Sequence, residues 1–193
     1  LWIARMTRPD ALFAVIYLSR FTHCYTAVHW KHLKRVAGYL LSTADVCLTF
    51  LAPPAGSDMS LTCFVDSDWA SDRTDRRSYS GTVLQLDGNS FHWGCYKQVT
   101  VVASSTEAEY MAILDALKDC IHASSLLEEI VGRTQVPVAR IFGDDQGSHF
   151  IARNPVNNRR TKHIAIRFHW IRQYLNSAAY TLSYIATRSN VAD

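Results

Sequence analysis

The chain has 193 residues, enough for one or two domains. Hydrophobic residues make up 48% and charged residues 19%, which excludes a disordered segment and leaves material for a real core. The formal net charge is only +3, from 20 basic and 17 acidic residues, so bulk charge does not point to nucleic acid and only local clustering can. Thr7-Arg8-Pro9-Asp10 predicts a helix start, with Thr7 as cap, Pro9 in the first turn and Asp10 favouring the dipole; this helix should run to about Arg20. A second helix should follow Thr26, with Trp30, Leu33, Ala37 and Leu40 on one face. Lys31, His32, Lys34 and Arg35 lie between and beside them, as a solvated basic face or a nucleic-acid contact. Pro53-Pro54-Ala55-Gly56-Ser57 breaks the pattern and marks a domain boundary. Leu61–Val65 predicts a first strand and Tyr79–Leu86 a second, joined through the tight turn Asp87-Gly88-Asn89 to a third at Ser90–Trp93.

A long helix is expected over Thr106–Val131, then a fourth strand at Val138–Phe142 and a short helix over Asp145–Arg153, stopped before Pro155. Ile164, Phe168, Ile171 and Leu175 mark another helix, Tyr180–Ala186 a fifth strand, and the start of a terminal helix should follow. Hairpin strands followed by strand–helix–strand predict a mixed sheet with helices packed on it. The five cysteines (24, 47, 63, 95 and 120) contain no Cys-x-x-Cys, which disfavours a zinc knuckle. Their odd number fits a reduced intracellular protein. No apolar run reaches about 18 residues, so no membrane span is expected, and no signal peptide is apparent. The chain opens on Leu1 and stops inside a motif, so it reads as a piece of something longer.

Four acidic residues stand at or just beyond element edges: Asp66, Glu109, Asp144 and Asp193. Carboxylates gathered at one edge of a sheet can bind hard divalent cations, and two such ions can clamp a phosphodiester during in-line hydrolysis. Asp68 shares a strand face with Asp66 on spacing alone. Glu107 and Glu109 sit roughly 200° apart around a helix, so only one can face a site. Either also fits a capping box, Ser104 with Glu107 or Thr106 with Glu109. Phe142-Gly143-Asp144-Asp145 is similar to the aromatic-x-Asp-Asp of a polymerase palm, but a palm needs that pair in a hairpin and a helix-like segment follows here. Tyr110, Trp93 and Trp170 read as core, and His163 and His169 as structural.

Phe64-Val65-Asp66-Ser67-Asp68-Trp69-Ala70 resembles the first-strand motif of the ribonuclease H domain in copia-type LTR retrotransposon polyproteins. Arg76-Arg77-Ser78-Tyr79-Ser80-Gly81, Ser104-Ser105-Thr106-Glu107-Ala108-Glu109-Tyr110, Asp144-Asp145-Gln146, Arg160-Thr161-Lys162-His163-Ile164 and Val191-Ala192-Asp193 resemble its later blocks, in order. Upstream, Thr7-Arg8-Pro9-Asp10 and His29 through Leu40 resemble the segment joining reverse transcriptase to ribonuclease H. Two departures stand out: Asp145 replaces Asn and adds a negative charge beside the site, and Ala165 replaces Asp.

The resemblance implies an α/β fold: a ribonuclease H-like mixed five-stranded sheet with flanking helices, preceded by a small helical connection segment. The expected division is 1–52 connection, 53–60 linker and 61–193 ribonuclease H-like domain, truncated at its C-terminus. The implied activity is hydrolysis of the RNA strand of RNA–DNA hybrids within a Pol polyprotein, with reverse transcriptase upstream as partner. Two magnesium or manganese ions would be held by Asp66, Glu109, Asp144 and Asp193, the last of which would fray as a terminal residue. Ser105 and Thr106 could receive a phosphate on free helix amides. Gln146 could reach a base edge or ribose, and Arg76, Arg77, Arg159, Arg160 and Lys162 the duplex backbone. The location implied is intracellular, either a cytoplasmic virus-like particle or the nucleus. The alternative is an inactive remnant that at most binds hybrid.

Overall fold

The computed structural model describes residues 1–132, 136–154 and 170–193. Five strands form one mixed sheet in the order β3-β2-β1-β4-β5. β1 (Leu61–Asp68), β2 (Tyr79–Leu86) and β3 (Asn89–Lys97) make an antiparallel meander. Asp87 and Gly88 both take positive φ (50° and 77°), the backbone a two-residue hairpin turn needs. β4 (Ala139–Gly143) runs parallel to β1, and β5 (Tyr180–Tyr184) parallel to β4. This is the expected mixed five-stranded sheet with flanking helices, preceded by a helical segment.

The core lies where the long helix crosses one face of the sheet. For chain order the helices are α1 (Trp2–Met6), α2 (Leu12–Ser19), α3 (Ala27–Ser42), α4 (Ser105–Val131) and α5 (Gln146–Arg153). Residues 170–175 are also helical. α4 lays fully buried Ala108, Ala112 and Ala116, spaced one turn apart, toward Leu61, Cys63, Val65 and Ile141. Small side chains at i, i+4 and i+8 let the helix approach the strands closely.

The opposite face meets the N-terminal segment. The Trp93 indole nitrogen donates to the Ala4 carbonyl at 3.0 Å, and Phe13 meets Tyr79 edge-on at 5.4 Å. Arg20 of the segment reaches the buried Asp72, which Lys97 also contacts. Arg8 bonds Asp10 (2.7 Å) and the Thr43 carbonyl (2.9 Å), tying the start of α2 to the end of α3.

Several expectations need correction. The single helix expected from Thr7 to Arg20 is instead a 3-10 turn over Pro9–Ala11 followed by α2, with α1 ahead of it. Thr7 ends α1, donating its hydroxyl to the Ile3 carbonyl at 3.2 Å, so it caps nothing downstream. No residue of α3 is buried; Trp30 is 53% exposed and Leu33 45%, so its apolar stripe is only partly covered. β1 continues to Asp68 because β2 pairs with it that far (Asp68↔Tyr79), so Asp66 lies within the strand. β3 runs on to Lys97 for the same reason. After β5 the chain makes a 3-10 turn, Thr187–Ser189, where a terminal helix was expected. Ile164 and Phe168 lie outside the described residues.

Candidate active site

β1 and β4 are parallel neighbours whose last paired residues are Phe64 and Phe142. Asp66 and Asp144 each stand two residues beyond that couple, so two carboxylates arrive at the same edge of the sheet. The third comes from α4. Ser104 caps this helix, its hydroxyl accepting from the Glu107 amide at 3.2 Å, while the Glu107 carboxylate accepts from the Ala103 amide at 2.9 Å. Glu107 is thereby used in the cap. One turn into the helix, Glu109 is buried and its Oε1 accepts from the Ser67 amide (3.0 Å) and hydroxyl (2.8 Å). Asp66, Glu109 and Asp144 each offer an oxygen, and these oxygens all lie within 4.8 Å of one another.

Asp193 does not join that group, although its charge reaches Asp66. Its segment is anchored by Asn190, whose buried side-chain amide donates to the Val65 carbonyl at 3.0 Å. Gly81, paired with Asp66 in register, leaves room for it: a Cβ there would meet the Ala192 carbonyl oxygen at 2.9 Å.

Crowding shows in the electrostatics. Burial, then repulsion from Asp144, Asp193 and Asp68, pushes the Asp66 carboxyl up to about 6. Burial, with Asp66 and Asp144 adding to it, pushes Glu109 up to about 8 even though Ser67 hydrogen bonds oppose the shift. Such a donor set is all oxygen and crowded, and a hard divalent cation would relieve the crowding by favouring the ionised carboxylates.

No family model matches the chain. It is 38% identical over 188 residues, 97% of its length, to the retrovirus-related Pol polyprotein from transposon RE2 of Arabidopsis thaliana. The chain belongs to the retrovirus-related Pol polyproteins of transposons. A second such relative, from transposon TNT 1-94 of Nicotiana tabacum, is 34% identical over 187 residues, again 97% of this chain. The Pol segment spans only 13% and 14% of the length of these two relatives. Among solved structures, RNase H1 from Halobacterium salinarum is similar at 15% identity and a TM-score of 0.48, over 69% of this chain and 90% of that one.

Around the carboxylates of this Pol segment the expected contact residues differ in place. Ser105 is exposed in the first turn of α4. Thr106 is half-buried against the start of α5, where a Cβ on Gly147 would meet its Cγ2 at 3.0 Å. Gln146 is exposed as the first residue of α5. Asp145 turns its charge to the helix, Oδ2 accepting from the Ser148 amide at 2.6 Å. The negative charge expected beside the site is therefore engaged as an N-cap, where an aspartate suits the helix dipole. The same helix rules out the palm-like hairpin. Arg76 is exposed, with a left-handed φ of 58°. Arg77 lies 3.6 Å from Asp75. Arg159, Arg160, Lys162, His163 and His169 lie outside the described residues.

Three residues near the site escaped the sequence reading. Ser67 was visible inside Phe-Val-Asp-Ser-Asp, where a hydroxyl next to a strand-end Asp is a usable signal. Asn190 bonds a carbonyl 125 residues away, which no local pattern announces. His149 is buried behind Gly143, with Nε2 bonded to nothing among the described residues. Burial, with Arg153 assisting, holds its pKa below the usual histidine value. Among the described residues no helix is long and apolar enough to cross a membrane.

Proposed function

We propose that this segment is the metal-dependent nuclease part of a copia-type Pol polyprotein, hydrolysing the RNA strand of RNA–DNA hybrids. The observation that carries the reading is the convergence of Asp66, Glu109 and Asp144 within 4.8 Å, from two parallel strand ends and one helix. Asp66 lies on β1 and Asp144 directly follows β4, its parallel partner, and Ser67 holds the Glu109 carboxylate against β1. A rigid carboxylate set keeps its geometry when the substrate phosphate arrives. Bound magnesium or manganese would activate a water and neutralise charge at the phosphate. Asp193 completes the set by a small movement of the segment anchored at Asn190. Ser105 and Thr106 amides and the Gln146 side chain take the phosphate and ribose of the RNA strand, with Arg76, Arg77, Arg160 and Lys162 on the duplex backbone.

One observation favours the second reading, a remnant that binds hybrid without cutting it: Asp193 stands outside the carboxylate group. The experiment that separates the two is incubation of a hybrid with the RNA or the DNA strand labelled in turn, in magnesium and in manganese. Cutting of the RNA strand alone is the expected result. Binding without cutting in either metal selects the remnant.

A further inference from the structure

Residues 11–44 carry no acidic side chain, yet they hold Arg20, Lys31, Lys34 and Arg35 along with three histidines. Arg20 is used by Asp72. The other three cations are exposed on α3, and none has a hydrogen bond or ion pair among the described residues. At about 100° per residue, Lys34, Lys31 and Arg35 fall within one arc of about 100° on the helix, continued by Tyr39 and His32. Lys31 and Lys34 lie on the side of α3 away from Val36, while Arg35, with Val36, His32 and Tyr39, stands at the edge that faces α2.

The basic arc is joined to the carboxylate site by continuous surface. A groove between α2 and α3 is lined by Arg35, His32, Tyr39, Asp10 and Phe13. Asp10 and Phe13 also line the groove that contains Asp66, Asp68 and Asp193. The Asp10 carboxylate on that path is muted: it is paired with Arg8 at 2.7 Å and accepts the Tyr39 hydroxyl at 2.7 Å. Phe13 is 48% exposed between the two grooves, a flat apolar surface on which a sugar can rest. Acid at one end, unpaired base at the other and a neutral bridge between them match a polyanion held at a distance from the atom being cut.

We propose that the basic arc of α3 is a second contact surface for the sugar–phosphate backbone of the nucleic-acid duplex that the carboxylate site acts on. Lys31, Lys34 and Arg35 each take one phosphate, and Arg35 marks the side by which the duplex crosses Phe13 to reach Asp66. The contact is to the backbone and carries no base preference. It rests on the nuclease reading for the direction of the duplex, while the binding itself does not require cleavage.

The test uses the whole chain and a fluorescent RNA–DNA hybrid in EDTA, so that nothing is cut, titrated at several salt concentrations. Removing one cation from a phosphate should flatten the plot of log affinity against log salt by about 0.9, so Lys31→Gln/Lys34→Gln/Arg35→Gln should flatten it by about 2 to 3. Affinity at 0.1 M salt should fall by at least about ten-fold. The thermal midpoint should not move, because the three side chains are exposed. Lys118→Gln, which removes an exposed cation paired with Asp115 on α4, should leave the slope as it was. A parent that cuts hybrid while the triple variant keeps its slope overturns this surface and leaves the nuclease reading intact. A triple variant with the flattened slope, beside a parent that binds but never cuts, leaves the surface standing and removes the nuclease reading.

Discussion

The Glu109 carboxylate accepts two hydrogen bonds from one residue, the Ser67 amide at 3.0 Å and the Ser67 hydroxyl at 2.8 Å. Ser67 is the residue after Asp66, so this pair of bonds sets the distance between helix α4 and the strand that supplies the first aspartate. Ser67→Ala removes one bond to a buried acid and should cost about 1 kcal/mol of stability. It should also raise the Glu109 pKa further, since the Ser67 bond is what lowers it. Manganese titrations should therefore show weaker binding in the variant at pH 7, with the deficit shrinking at higher pH.

The two glutamates at the head of α4 should behave differently. Glu109→Gln removes a group that lies within 4.8 Å of both aspartates and should abolish hybrid cleavage. Glu107→Gln touches only the helix cap and should cost about 0.5 to 1 kcal/mol or less in stability with cleavage retained. Rates of the two variants side by side decide it, and the reverse order contradicts the assignment.

Asp72 should be the most sensitive charged residue outside the site. It is 1% exposed and contacts both Arg20 and Lys97, joining the N-terminal helices to the sheet. Burial alone would raise its pKa, but bonds from Lys97, the Thr74 amide and Arg20 outweigh that and hold it well below the usual carboxylate range. Asp72→Ala leaves two cations facing a buried gap and should cost about 3 to 5 kcal/mol, read from urea unfolding. A change under about 1 kcal/mol would show the network to be a solvated surface pair.

Stability without metal should fall as pH rises. Asp66 titrates at about 6 and Glu109 at about 8 in the folded chain, both above the ordinary carboxylate range of roughly 4 in the unfolded chain. The folded state therefore holds more protons between these limits, so its advantage is complete below pH of about 4 and is lost as pH climbs to about 8. Melting in EDTA should show that decline. Saturating manganese should reverse it, because a bound cation favours the ionised carboxylates. A midpoint that rises across the same window in EDTA contradicts the crowding.

Gly143 and His149 give a packing test beside the metal ligands. A Cβ on Gly143 would sit 3.1 Å from His149 Nε2 and 3.4 Å from Val65 Cγ1. Gly143→Ala should cost about 1 to 3 kcal/mol through overpacking. His149→Leu replaces a buried unpaired nitrogen with an apolar group and should be neutral or stabilising by up to about 1 kcal/mol. The double variant, compared with the two singles in thermal melts, reports their coupling.

Much of the sheet was legible because its signals are local. Asp87-Gly88 announces a hairpin, and Leu61–Val65 and Val138–Phe142 are apolar runs bounded by breakers. The length of β3 was not, because Trp93-Gly94-Cys95-Tyr96 has no clean alternation and its pairing with β2 sets its end. Thr7 misled because a threonine before proline looks like a cap, while α1 ahead of it claims the hydroxyl. At the site, the three clustered carboxylates stood in recognisable motifs. The Ser67–Glu109 bonds, the Asn190 anchor and buried His149 arise from tertiary contacts that sequence spacing cannot reveal.

The most direct test of a metal-dependent nuclease built on Asp66, Glu109 and Asp144 is a single comparison. The whole chain and Asp66→Asn are given the same RNA-labelled hybrid in manganese, with melting in EDTA as a check on folding. The expected result is RNA cleavage by the parent, none by the variant, and a variant as stable as the parent or slightly more so, since one crowded charge is gone. Equal cleavage by both proteins would contradict the account.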